Sequence, residues 1–259
     1  MTAGGALALK LVLTPLLVGA ASLAGRRWGS AVGGWLIGIP FTSGPIAFFL
    51  ALNPGPRFAA AAAVGTMAGA ASQAAFCLGY AWAAQRLGWA ASVFTAALGF
   101  AAATIVLNAV MLPAQGYFVV VVLVLVVSLF LMPAAPAQPA EEIHFPAWDL
   151  PARMVAATAF VVALTAAAPA LGAHLAGLIA PFPLYATVLA AFAHRLQGAG
   201  PAVGVVRGLL LGLFAFASFF LTLSLVLPDG IALAFVAAIG VALAVQGASL
   251  VAGRRLGLA

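Results

Sequence analysis

The chain has 259 residues, of which 66% are hydrophobic and 5% charged, with a mean hydropathy of +1.24. A soluble domain carries about 25% charged residues, so this composition excludes a water-soluble fold and describes an all-α polytopic membrane protein with the lipid bilayer as its first partner. The net charge of +6 comes from ten Lys and Arg residues scattered singly or in pairs between apolar runs; that is how topology signals are distributed, and it excludes a nucleic-acid-binding surface.

Nine apolar segments are long enough to cross about 30 Å of hydrocarbon. The first is Ala6–Leu23; no basic leader or cleavage site precedes it, so a retained span is expected. The second, Ala31–Leu52, contains Gly38-Ile39-Pro40-Phe41-Thr42-Ser43-Gly44-Pro45. Two prolines and two glycines within eight residues interrupt a helix, because each proline lacks an N–H and clashes with the carbonyl one turn back. Two readings follow: half-helices meeting at a sheltered site, as in transporters, or a kinked structural helix whose loosened carbonyls are met by Thr42 and Ser43.

The third span is Phe58–Ala84, the fourth Trp89–Leu112 and the fifth Tyr117–Met132. A Pro-rich polar loop, Pro133–Pro151, follows and holds Glu141, Glu142 and Asp149, three of the four acidic residues. Its prolines favour an extended chain. The remaining spans are Ala152–Leu171, Leu175–Ala193, Val203–Leu227 and Ile231–Val251. Continuous apolar runs without period-two alternation exclude a β-barrel.

With the N-terminus outside, the inner side holds Arg26, Arg27, Arg86, Arg153, Arg195, Arg207, Arg254 and Arg255, against Arg57 and Lys10 outside. The positive-inside rule therefore orients the chain N-out and C-in.

The loop separates two similar halves. Ile39-Pro40-Phe41 answers Ala180-Pro181-Phe182-Pro183, and Gly65, Gly69 and Phe76 answer Gly208, Gly212 and Phe219 at the same spacing. Spans one to four then match spans six to nine. An odd offset of about five spans turns the second copy upside down, giving two inverted-topology repeats of four helices joined by a fifth linking helix. The expected division is 1–112 for the first repeat, 113–151 for the linking helix and cytoplasmic loop, and 152–259 for the second repeat. Symmetric proline breaks point to a central transport site, drawn from Pro40, Phe41, Thr42, Ser43, Gly44, Gln73, Asn108, Pro181, Phe182, Tyr185 and Thr187. For the buried amides and hydroxyls, interhelical hydrogen bonding is the competing role. Lys10 and Thr14 share a helix face, and His174 and His194 fall at span ends.

No carboxylate lies within a span, no Ser/His/Asp set is visible, and Cys77 is the single cysteine. The sequence therefore argues against an enzyme, a metal site or a bound cofactor.

The run Leu175–His194, with Ala180-Pro181-Phe182-Pro183 inside it and Val206-Arg207-Gly208 after it, resembles small bacterial GlpM-type membrane proteins across roughly spans six to eight. That family carries a similar segment, a helix and then a basic residue opening the next span; the first half departs from it. The resemblance implies a bacterial inner-membrane location and an association with envelope or exopolysaccharide production. The leading expectation is a transporter or permease for a small neutral or anionic solute or a lipid head group. The alternative is a non-transporting subunit supporting envelope-polymer synthesis. A second copy of the chain is a further candidate partner.

Overall fold

The structure, a computed structural model, describes residues 3–41, 43–135, 146–163 and 181–255, with side chains from residue 11 onward. The described residues form helices and no strands. In order they are α1 (Ala3–Trp28), α2 (Ser30–Ile37), α3 (Ser43–Leu52), α4 (Pro56–Ala83), α5 (Trp89–Asn108), α6 (Ala114–Leu131), α7 (149–163), α8 (Leu184–Gln197), α9 (Ala199–Val226) and α10 (Ile231–Arg255). Thr42, Glu141, Glu142, His174 and the start of the predicted seventh span, Leu175–Ala180, lie outside the described residues, as does the side chain of Lys10.

Among the described residues, five helices are long and apolar enough to cross a membrane: α4, α5, α6, α9 with its short 3-10 extension to Asp229, and α10. They match the predicted third, fourth, fifth, eighth and ninth spans. The predicted second span contains two short helices, α2 and α3. The predicted sixth begins earlier than expected, so Asp149, assigned above to the polar loop, sits in the first turn of α7.

Local sequence explains these boundaries. Pro56 opens α4 in the first turn, where a missing N–H costs nothing. Gly198 both ends α8 and begins α9 at φ 90, a left-handed corner that a side chain would strain. Pro228 and Gly230 turn the chain between α9 and α10.

Helices α4 and α9 form the middle of the bundle. α9 packs on α2, α4, α6, α8 and α10, while α4 packs on α3, α5, α6 and α9. Their apolar stretches are 61% and 67% buried, against 22% for α5, 17% for α6 and 22% for α10. The outer three helices thus turn most of their Val, Leu and Ile side chains outward, which fits hydrocarbon rather than water as their surroundings.

With no hydrophobic drive between helices in lipid, close van der Waals packing has to hold such a bundle together. The tightest interface is α2 on α9. A Cβ at Gly34 would fall 1.9 Å from the Val205 carbonyl oxygen, and one at Gly208 would fall 1.9 Å from that of Ala31. Gly38 and Gly212 face each other one turn further along, where a Cβ on Gly38 would fall 2.4 Å from the Gly212 Cα. Backbone touches backbone along this line because neither helix carries a side chain there.

Candidate functional site

At the first interruption, α2 stops at Ile37 because Pro40 cannot supply the next donor. Gly38 N donates to Trp35 O and Ile39 N to Leu36 O, both at 3.2 Å, and Gly44 N donates to Pro40 O at 2.8 Å as α3 begins. The carbonyl of Trp35 also accepts the Gln246 side-chain amide of α10 at 2.8 Å. The Trp35 indole N–H in turn donates to Ser249 Oγ at 3.1 Å. The Trp35 carbonyl, at the end of α2, thus accepts two hydrogen bonds from within the protein. Pro40 and Gly44 are buried, Gly44 against the ring of Phe219, whereas Ser43 is half-buried and Phe41 is exposed.

At the predicted second break, Pro181 lies so close to α4 that a Cβ on Gly69 would fall 2.7 Å from the Pro181 Cβ. Phe182 sits among Phe76 of α4, Phe100 of α5 and Phe160 of α7, with centroids 5.5, 5.3 and 6.2 Å away. Tyr185 shares a 3.1 Å hydrogen bond with Thr14 of α1, which is completely buried. Thr187 Oγ1 donates to Pro183 O at 2.9 Å, closing the first turn of α8.

The segments at both predicted breaks lie against a long central helix. Gly212 of α9 faces Gly38, and Gly69 of α4 faces Pro181; each is the second glycine of a GxxxG pair in a long central helix. Gly65, by contrast, has open space around it.

Other predicted residues stand apart. Gln73 is buried within α4, next to Ser72, whose hydroxyl accepts the Thr104 hydroxyl of α5 at 2.8 Å. Asn108 is exposed and donates to Thr104 O of its own helix at 2.9 Å. His194, expected at a solvated span end, lies 3.3 Å through Nδ1 from the hydroxyl of the fully buried Tyr80.

A polar site that the sequence did not reveal lies where α1, α2, α7, α8 and α9 converge. Asp149 is fully buried and accepts from Arg26 at 2.7 Å and from Arg153 Nε at 2.8 Å. Arg153 is 5% exposed and lies over the ring of Phe192 at 5.3 Å. Beside this clasp is a cavity of about 30 Å³ lined by Ser22, Arg26, Ser30, Gly33, Arg153 and Gln197 with neighbouring apolar residues. Ser22 Oγ is buried there with no hydrogen-bond partner. Paired guanidiniums and hydroxyls recognise anions; among the described residues no group of three or more His, Cys, Asp or Glu could hold a metal.

No protein-family model matches the chain, and no curated protein or solved structure matches it either.

Proposed function

We propose that the chain is a multi-pass permease of a bacterial inner membrane, N-terminus out and C-terminus in, built from two inverted repeats around its two interrupted segments. Its cargo on this reading is a small neutral or anionic solute or a lipid head group. The observation that carries it is the crossed pairing in which Gly212 meets Gly38 and Gly69 meets Pro181. Inverted repeats place interrupted helices together near the membrane midplane, and there the loosened backbone binds cargo.

Further features support this reading. α4 and α9 each have 28 residues, about 40 Å at a rise of ~1.5 Å per residue. Each also packs against the helix that follows it, α5 and α10. The half-buried Ser43 hydroxyl supplies a donor at the first interruption. The bias of arginines toward one side gives the orientation, and the GlpM-like segment suggests the inner membrane.

The test is uptake by liposomes containing the purified chain, screened with labelled sugars, amino acids and small carboxylates. A Thr42→Ala, Ser43→Ala double variant should lower the flux of the transported solute about tenfold, the effect of losing about 1.4 kcal/mol of binding, while melting like the wild type. Flux no faster than in protein-free liposomes across the panel, or unchanged flux in the double variant, would overturn the proposal.

A further inference from the structure

The cavity beside the Arg26–Asp149–Arg153 clasp is assigned no part in the permease reading, yet it is built as a binding site. We infer that it takes the carboxylate group of a small anion.

Arg153 carries the argument. It is 5% exposed, and its bond to Asp149 uses Nε alone. A guanidinium has five N–H donors, so four remain for other acceptors. Asp149 is shared with Arg26, so it gives Arg153 only one of its two oxygens. A buried guanidinium in this position favours a second oxyanion at its terminal nitrogens, with the fork geometry suited to two acceptor oxygens.

The second observation is Ser22. It is 4% exposed, lines the cavity, and its hydroxyl has no partner among the described residues. A buried hydroxyl without a partner is costly, and an anion in the cavity would accept its hydrogen bond. A third contribution comes from α2, whose first residue, Ser30, also lines the cavity. Gly29 offers no capping side chain, so the positive end of α2 faces this space without a resident acceptor from its cap.

Size selects the ligand. One water-sized group needs roughly 10–15 Å³, and the cavity provides about 30 Å³. That is room for two oxygen-sized groups, which the two oxygens of a carboxylate fill, whereas a tetrahedral phosphate would leave two of its four oxygens outside.

The site is tested by binding alone, without flux, so it stands or falls separately from the permease. The purified full chain in detergent is titrated with sodium acetate, and with sodium chloride and sodium phosphate at matched ionic strength, while its melting temperature is followed. Acetate should raise the melting temperature saturably, and the other salts should raise it less. Ser22→Ala removes one donor to a charged group and should raise the half-saturating acetate concentration about tenfold or more. Arg153→Gln should abolish saturation; should that variant not fold, Ser22→Ala decides alone. Equal responses to all three salts, or identical titrations of wild type and Ser22→Ala, would overturn the site. So would saturable binding that appears only after Glu141→Gln with Glu142→Gln, because the occupant would then be the chain's own carboxylate.

Discussion

Gly34→Ala provides the sharpest test of how this bundle is held together. The added methyl carbon would lie 1.9 Å from Val205 O, 2.7 Å from Val205 C and 3.0 Å from Leu209 N. All three atoms belong to the α9 backbone, so no rotamer change can yield. Carbon and oxygen need about 3.3 Å or more to avoid overlap, and α2 would have to move away from α9 by well over an ångström. That separation would also open the contacts of Gly38 with Gly212 and of Gly208 with Ala31. Overpacking a dense interior costs about 1–3 kcal/mol, occasionally more, and a backbone clash that spreads along a whole interface belongs at the top of that range. For a chain of this size 1 kcal/mol moves the midpoint by about 2–4 °C, so a fall of roughly 6–12 °C is expected. The control is Gly65→Ala, where a Cβ meets nothing within 4 Å; Ala is the better helix former by up to about 1 kcal/mol, so the midpoint should hold or rise. Thermal unfolding of both variants in the same detergent decides the matter. Equal midpoints for Gly34→Ala and Gly65→Ala would refute the claim that α2 and α9 meet backbone to backbone.

Two further outcomes follow from the clasp and from the proposed orientation. Asp149→Asn removes the carboxylate shared by Arg26 and the buried Arg153, and stranding a buried charge costs about 3–5 kcal/mol; thermal unfolding should show a clear loss, part of which Asp149→Asn with Arg153→Gln recovers. An undiminished midpoint for the single variant would mean the clasp contributes nothing. In a Cys77→Ala background, an impermeant maleimide applied to spheroplasts should label Asn53→Cys and Asp229→Cys but reach Gln85→Cys only after lysis, since all three positions are exposed in loops or turns. Labelling of Gln85→Cys in intact spheroplasts would reject the proposed orientation.

The long helices were legible because unbroken apolar runs leave few alternatives: α4, α5, α6, α9 and α10 fall within a few residues of the predicted spans. α2 ends at Ile37, three residues before Pro40. Asp149 was misplaced because the prolines around it read as an extended loop, whereas the two guanidiniums that shelter it inside a helix come from elsewhere in the chain or from the next turn. The cavity was illegible for a related reason. Ser22, Ser30 and Arg153 belong to three separate helices, and in sequence an arginine near a span end looks like a topology signal. The GxxxG motifs could be seen but not weighed: Gly69 and Gly212 are both in close contact, while Gly65 touches nothing. Spacing alone does not say which side of a helix meets a neighbour. Tyr185 was selected for its place after Pro183, and its bond to Thr14 of α1 needed the fold to be seen.

The bond from Gln246 to the Trp35 carbonyl joins residues 211 positions apart. A ribosome adding about 5–20 residues per second needs on the order of ten to forty seconds to cover that interval. Through that time the nascent α2 lacks the Gln246 amide, and for most of it the glycine face of α9 against which it fits. The opening third of the protein must wait, provisionally lodged, for the closing third to emerge. Assembly of this chain is thus paced by its last two helices.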